Sequence, residues 1–231
     1  DAAKSVYSMA FYQVWPGKGF SFNYPETEQF LIKRIDAKHD WSPKALIVFL
    51  DAGKEKSLPY FEDFKKYSGW IKTWGSLTLG DNLMILGATD SNNGGSVFLD
   101  GSHLWENYYF LAKIDWVKGG SISLLAKYKN DENYTACNFL DGEVRIEQRL
   151  NGKNRAMVEI KHSFNVLKNN VKLEVKVNKD KVECLIDGKV VAYAYYLSPV
   201  LSNGGIGFKA WDPQVNNSEI AIKEVSVEEI K

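Results

Sequence analysis

One stretch of the chain, residues 171–193, constrains the fold more than any other. Apolar and charged residues alternate strictly over 171–177, which is the period of a β-strand with one buried and one exposed face. A polar break at 178–180 separates this run from a second strand pattern, which ends at Asp187-Gly188. That pair is a strong hairpin signal, because glycine adopts a positive φ without a Cβ clash. Three short strands joined by tight turns predict a β-meander.

The balance of acidic and basic residues bears on which classes of partner the chain can bind. Its 29 basic and 29 acidic residues give a net charge of zero. Nucleic acids and anionic membranes attract basic surfaces, so neither is expected as a partner. No apolar run approaches the roughly 18 residues of a membrane span. We expect an extracellular or periplasmic protein whose signal peptide has been removed.

The two cysteines, Cys137 and Cys184, both lie at apolar positions of strand patterns. This placement predicts that both side chains point into the protein interior. Two buried free thiols and one disulfide are both compatible with the pattern, because pairing requires Cα atoms closer than about 7 Å. Their number excludes the multi-cysteine spacing of a zinc site.

Residues 1–58 differ in pattern from the rest of the chain. An apolar run over 6–15 resembles a strand, and acidic residues after Pro25 indicate a helix that runs through Ile35. The continuous apolar run 45–50 is typical of a strand covered on both faces. These signals predict a mixed α/β extension that packs on the following domain, with the tail of a preceding α/β domain as the alternative.

The remainder, residues 59–231, carries short apolar runs at a spacing of roughly 8–12 residues. Glycine, asparagine or aspartate bounds each run, as in Asp100-Gly101, Asp141-Gly142 and Asn151-Gly152. Such a sequence predicts an all-β domain, a two-sheet antiparallel β-sandwich.

Several motifs in residues 60–227 resemble one family, the concanavalin A-like (laminin G-like) jelly rolls. They are Phe61-Glu-Asp-Phe64 with Trp70, Tyr109-Phe-Leu-Ala-Lys-Ile-Asp115, Val175-Lys-Val-Asn178, Leu185-Ile-Asp-Gly188, Gly204-Gly-Ile-Gly-Phe208 and Val225-Ser-Val227. Within that family the chain is similar to 3-keto-disaccharide hydrolase-like domains and to carbohydrate-binding modules of polysaccharide-degrading enzymes. The resemblance implies a jelly roll, a polysaccharide or oligosaccharide ligand, and attachment to a catalytic domain in a longer protein.

Glycosidases with this fold carry paired carboxylates, in the family pattern Glu-x-Asp-x-x-Glu, and that motif is absent here. The nearest match places Glu143 and Glu147 on one strand with Arg145 between them. Alternate strand positions are about 6.8 Å apart, so these two glutamates are roughly 13 Å apart at the backbone. A retaining mechanism needs two carboxyl groups about 5 Å apart. The larger separation of Glu143 and Glu147 favours the interpretation that they belong to a solvated charged face and are not a catalytic pair. The three histidines also lack metal-ligand spacing.

Five residues form the predicted sugar-binding site. Aromatic rings stack on sugar faces, while charged groups form directional hydrogen bonds to hydroxyls. We expect the ligand on a polar sheet face that contains Tyr109, Asp115 and Arg145, edged by Trp105 or Trp211 in loops. The alternative for each tryptophan is that it pins a loop to the sandwich.

No cofactor is required by these motifs. The family resemblance implies a structural calcium ion, for which Glu62, Asp63 and Asp212 are the candidate ligands. Ordinary turn and cap roles are the alternative for all three.

Three functions follow from the sequence. A non-catalytic carbohydrate-binding module is favoured by the missing carboxylate pair and by the aromatic candidates. A glycoside hydrolase on the same fold is the first alternative, and a structural or protein-interaction domain is the second.

Overall fold

The computed structural model describes residues 11–13, 32–34, 42–66, 68–163, 165–166, 168–195, 197–214 and 216–230. Strands dominate these ranges. The elements are β1 (Phe11–Gln13), β2 (Ile32–Arg34), α1 (Pro43–Ala52), β3 (Tyr60–Glu62), β4 (Trp70–Trp74), β5 (Ser76–Gly80), β6 (Leu83–Gly87), β7 (Gly94–Leu99), β8 (Tyr108–Lys118), β9 (Ser121–Asn130), β10 (Asn133–Leu140), β11 (Glu143–Leu150), β12 (Lys153–Lys161), β13 (Val171–Asn178), β14 (Lys181–Ile186), β15 (Lys189–Ala194), a 3-10 turn (Pro199–Leu201), β16 (Gly205–Trp211) and β17 (Glu219–Glu229).

Two large antiparallel sheets form a sandwich. The seven-stranded sheet has the order β12-β11-β10-β9-β16-β7-β4. The eight-stranded sheet has the order β15-β14-β13-β8-β17-β6-β5, and β3 pairs in addition with β17. Each sheet combines runs of sequence-adjacent strands with three successive pairings between distant strands, so both sheets depend on long-range pairing. The predicted two-sheet antiparallel sandwich is confirmed.

The meander predicted over residues 171–193 is the edge of the eight-stranded sheet, β13-β14-β15. Its second turn lies at Asp187 and Gly188, whose φ angles are 50° and 79°. Glycine adopts this left-handed conformation at little cost, which is why the Asp-Gly pair marked the turn in the sequence.

The core lies between the two sheets and follows the alternation of the strands. On β8, Tyr108, Phe110, Ala112 and Ile114 are buried and form part of one large apolar cluster, as predicted. The side chain of Trp116, predicted to continue this set, lies outside the described residues.

A disulfide joins the two sheets. Cys137 on β10 and Cys184 on β14 are both fully buried, with Cα atoms 5.8 Å apart. The prediction that both cysteines point into the sandwich is confirmed. Of the two alternatives that the sequence left open, the disulfide is the one present, and the described residues contain no free cysteine.

Two predictions for the N-terminal extension are wrong. The apolar run 45–50, predicted as a strand, lies inside the ten-residue helix α1. A short apolar run has no periodicity that separates strand from helix, and Pro43 suits the first helical position. Ile32–Arg34, predicted as helical, forms β2, which pairs in parallel with β1 inside the predicted strand run 6–15. Pro25, the predicted helix start, lies outside the described residues.

The connection between α1 and β3 contacts the sandwich. The Lys56 backbone N–H donates to Gly101 O at 2.8 Å, and Lys56 Nζ donates to Asp100 O at 2.7 Å. The packing of residues 1–58 on the sandwich and the domain boundary at residue 58 stay predictions. Within the described ranges, no helix has the length and apolar character that a bilayer crossing needs.

Candidate functional site

The five residues predicted to share one face lie in three different places. Arg145 and Trp211 are on the outer face of the seven-stranded sheet, on β11 and β16. Tyr109 and Asp115 are on the outer face of the eight-stranded sheet, on β8. The hydrophobic core separates these faces, and Trp105 lies inside it. No single ligand reaches all five, so the predicted shared face is wrong.

Trp105 has a structural role. Its side chain is only 5% exposed, and its indole N–H donates to Lys56 O at 2.7 Å. Its ring packs 5.8 Å from Tyr60 and 6.1 Å from Tyr108, measured between ring centroids. A buried ring cannot stack on a sugar, and the alternative that Trp105 pins a loop to the sandwich is the correct one.

Tyr109 belongs to a partly buried polar network. Burial raises the pKa of its hydroxyl to about 12, and neighbouring Glu174 contributes to that shift. Glu174 is 2% exposed and accepts a hydrogen bond from Gly188 N at 3.1 Å. Burial likewise raises the pKa of Glu174. This network anchors the meander turn to β8, which gives Tyr109 a structural partner.

The three predicted calcium ligands do not converge. Glu62 is buried at the end of β3 and accepts hydrogen bonds from Phe64 N at 2.7 Å and from Tyr60 Oη at 2.9 Å. Asp63 forms an ion pair with Lys65. The hydrogen bond from the Lys65 side chain lowers the pKa of the Asp63 carboxyl.

Asp212 follows β16 and accepts from Gln214 N at 2.7 Å. Each of the three carboxylates therefore serves its own turn, and the predicted shared set is wrong. The part of the chain that the structure describes contains no group of three or more metal-ligating side chains. Calcium binding itself stays a prediction.

The strongest candidate site surrounds Trp211, which was predicted in a loop but is the last residue of strand β16. Trp211 is 42% exposed, which is unusual for so large an apolar side chain. Its cross-strand neighbours are Gly94 on β7 and Ser121 on β9. Both are small, so neither places a long side chain beside the indole. A Cβ atom at Gly94 would lie 1.9 Å from Ala210 O, so the backbone packing itself requires glycine there.

A cation and a second tryptophan lie on the same sheet face as Trp211. Lys209, two residues earlier on β16, points to the same face, and its Nζ lies 5.8 Å from the ring centroid of Trp74 on β4. This distance permits a cation–π interaction. Burial lowers the pKa of Lys209, and Arg149 nearby lowers it further. Partial desolvation strengthens the attraction of the ammonium for any polar group that approaches it.

Arg145 lies on the same face, three strands away from Lys209. The cross-strand register links Arg145, Asn138, Ser123 and Lys209 in one row, which is roughly 14 Å long at the usual strand spacing. The row carries donors at both ends, in Arg145 and Lys209, and both a donor and an acceptor in between, in Asn138. We call the surface formed by Trp74, Lys209, Trp211, Ser121, Asn138 and Arg145 the Trp211 face.

Arg145 is held by two carboxylates. Its Nε donates to Glu143 Oε1 and lies 3.5 Å from Glu159 Oε2 on the neighbouring strand β12. The hydrogen bond to Glu143 is the main reason why the pKa of the guanidinium is raised. Both carboxylates are thus engaged by one cation.

A second apolar cluster supports the other end of this sheet face. Phe98 and Tyr128 stack with ring centroids 5.0 Å apart, and Tyr128 stacks on Tyr134 at 6.1 Å. Ile71, Leu125 and Ala136 complete the cluster. These rings are packed against one another, so the exposed aromatic surface of this sheet face is concentrated at Trp211.

Sequence reasoning found Arg145 and Trp211 but missed Lys209 and Trp74. The alternation along β16 contains the signal for Lys209, because Lys209 and Trp211 share one phase outside the buried Phe208 and Ala210. No sequence signal placed Trp74 beside them, since β4 and β16 are separated by β7 in the sheet.

The strand order and the two packed sheets define the chain as a concanavalin A-like jelly roll. No family model and no curated protein matches the sequence. Among solved structures, the carbohydrate-binding module CBM66 from Bacillus subtilis is similar, with 17% identity, a TM-score of 0.54, and coverage of 68% of this chain and 94% of that chain. A Bacillus licheniformis β-glucanase has 14% identity and a TM-score of 0.58, over 76% of this chain and 100% of its own.

The GH43 protein BlXynB from Bacillus licheniformis is also similar, with 14% identity and a TM-score of 0.55. The match covers 76% of this chain but only 40% of BlXynB. At these identities the likeness establishes the fold and no more.

Proposed function

We propose that this chain is a non-catalytic carbohydrate-binding module that binds a polysaccharide or oligosaccharide on the Trp211 face. The exposed indole of Trp211, flanked by Gly94 and Ser121, carries the proposal. An exposed, flat aromatic surface with small neighbours suits the apolar face of a sugar ring. The exposed 42% of Trp211 is the part that a sugar ring can reach.

The polar groups of the same face suit sugar hydroxyls. Lys209 donates hydrogen bonds close to Trp211, and Asn138 offers both a donor and an acceptor further along the row. At the far end, Arg145 and its partner Glu143 present a donor and an acceptor side by side. A chain of sugar units lying across the strands would meet these groups in succession.

Three further observations support the proposal. The Bacillus subtilis structure with this fold is a carbohydrate-binding module. In BlXynB the matching region is less than half of a larger glycoside hydrolase chain, which supports attachment to a catalytic domain. The Cys137–Cys184 disulfide suits an oxidising compartment, as expected of an extracellular or periplasmic protein.

A glycoside hydrolase is the second candidate, because Glu143 and Glu159 approach Arg145 from adjacent strands. Catalysis would need one of them to be free as a nucleophile or an acid, and both are paired with the guanidinium. Incubation with a panel of oligosaccharides tests this candidate. Turnover that is lost in Glu143→Gln would establish it and overturn the non-catalytic proposal.

The binding experiment starts with a glycan array and continues with affinity measurements on the best ligand. We expect Trp211→Ala to lose about 1–3 kcal/mol of binding free energy, because exposed aromatic anchors dominate small interfaces. Its melting temperature should stay close to that of the parent. Tyr193→Ala is the matched control, since Tyr193 is 54% exposed but lies on β15 in the other sheet. Equal affinity of Trp211→Ala and the parent, with weaker binding by Tyr193→Ala, would refute the site.

A further inference from the structure

A charged cleft lies on the opposite side of the molecule from the Trp211 face. It is on the outer face of the eight-stranded sheet and has a volume of about 550 Å³, within the usual range of small-molecule sites. Five separate segments contribute side chains to it: the loop after β3, the β5–β6 turn, β8, the start of β13, and β17. Ligand sites usually contain a few convergent polar groups of this kind.

Two compensating β-bulges shape the floor of this cleft. Between β8 and β17, Trp116 pairs with Ala221 and Ile114 pairs with Ile222, which leaves Asp115 outside the ladder. One step further Lys113 pairs with Glu224, which leaves Lys223 outside it. Bulges redirect side chains and are frequent next to functional sites.

The two bulged residues meet each other at the cleft. Lys223 Nζ lies 3.5 Å from Asp115 Oδ1. Their neighbours in the ladder form a second pair, with Lys113 Nζ 2.6 Å from Glu224 Oε1. Exposed ion pairs of this kind contribute little net free energy. A ligand that competes for one of these lysines therefore displaces a weak interaction.

One lysine of the cleft is left over. Its lining contains four lysines and three carboxylates. The third carboxylate, Asp63, forms an ion pair with Lys65, with Lys65 Nζ 2.6 Å from Asp63 Oδ2. Lys172 forms no ion pair with any carboxylate among the described residues. Glu174, two residues along the same strand, is outside the cleft lining, although the positive charge of Lys172 acts on its carboxyl and offsets part of the rise in pKa that burial causes there. The cleft thus has one excess positive charge, together with the neutral amides of Asn82 and Asn170.

We propose that this cleft is a second binding site, for a small ligand that carries one carboxylate and several hydroxyl groups, the chemical class of a uronic acid. The carboxylate binds at Lys172, and the hydroxyls exchange hydrogen bonds with Asp115, Asn82 and Asn170. The excess charge selects the anion, while the surrounding ion pairs and amides match the hydroxyls. This site is separate from the Trp211 face and does not depend on the function proposed for it.

Titration of the purified protein with sodium glucuronate, followed by NMR or calorimetry, tests the proposal, with glucose as the neutral probe. We expect saturable binding of glucuronate in the millimolar range and weaker binding of glucose. Lys172→Gln should weaken glucuronate binding about five-fold, the effect of one exposed charge at contact distance. Lys176→Gln is the matched control, because Lys176 has the same phase on β13 but lies outside the cleft. Absence of saturable glucuronate binding would overturn the proposal.

Two further arms define the ligand class. Sodium acetate supplies the carboxylate without hydroxyls, and acetate binding as tight as glucuronate binding would overturn the polyhydroxylated part of the proposal. Comparison of galacturonate with polygalacturonate distinguishes a free sugar acid from an acidic unit within a polymer, and binding of either at Lys172 supports the site.

Trp211→Ala separates this proposal from the function assigned to the Trp211 face. Glucuronate binding that survives Trp211→Ala and weakens in Lys172→Gln supports the cleft, whatever happens to polysaccharide binding. Glucuronate binding that is lost in Trp211→Ala and unchanged in Lys172→Gln overturns the cleft assignment.

Discussion

The disulfide between the two sheets offers the sharpest test of the architecture. Cys137 and Cys184 are 47 residues apart in sequence. In the chain-entropy account, closing a loop of that length in the unfolded chain stabilises the folded state by about 4 kcal/mol at 25 °C. A domain of this kind has a typical total stability of 5–15 kcal/mol, so loss of the bridge removes a large fraction of it.

Urea unfolding of three proteins measures this effect: the oxidised parent, the reduced parent, and the double variant Cys137→Ala/Cys184→Ala. The reduced parent isolates the cross-link, while the double variant adds the loss of two buried sulfur atoms. We expect the reduced parent to unfold at a clearly lower urea concentration, with a larger urea dependence because its unfolded chain is less compact.

A second readout uses the burial of both thiols. A small thiol reagent should label the reduced, native protein slowly, since both side chains are fully buried. Two results would refute the reasoning: an unfolding free energy of the reduced protein within about 1 kcal/mol of the oxidised one, or fast labelling of either thiol under native conditions.

Three other perturbations have expected outcomes. Burial lowers the pKa of Lys127 to about 8, below the 10.4 of an unfolded lysine, so the folded state binds fewer protons between these values and gains stability as pH rises. The unfolding free energy of the parent minus that of Lys127→Met should therefore rise by about 1–2 kcal/mol between pH 7 and 9.5, and a flat difference would contradict this. Gly94→Ala should destabilise by about 1–3 kcal/mol in thermal melts, whereas Gly80→Ala, with no atom within 4 Å of its added Cβ, should not; equal melting of the two variants would contradict the packing argument. A chain that starts at Ser57 loses the contacts of Lys56 and should melt earlier or become less soluble, while unchanged melting would show that the extension does not support the sandwich.

The strands of the sandwich could be predicted because their signal is local. Alternation along β8 and β13 identified the buried face of each strand. Asp187-Gly188 identified a turn, because glycine adopts the positive φ of the turn without a Cβ clash. The same local signals failed at α1. Six consecutive apolar residues have no period, so a strand and a helix were equally compatible with them.

The candidate site likewise contains residues whose position could be predicted from the sequence and residues whose position could not. The phase of Arg145 on β11 and the exposed position of Trp211 followed from the sequence, and both are on the outer face of one sheet. Burial of Trp105 did not follow, because its cover comes from Lys56 and Tyr60, which are distant in sequence.

The sequence by itself determined the strands, their inward and outward phases, the turns, and the presence of two inward-pointing cysteines. Only the tertiary structure decided which strands share a sheet. It placed β8 in one sheet and β11 in the other, which separated Tyr109 and Asp115 from Arg145 and joined Cys137 to Cys184 across the core. The physical reason is that the entropy of closing a loop changes slowly with its length. Pairing of distant strands is therefore selected by how well whole faces pack, and no local pattern encodes that choice.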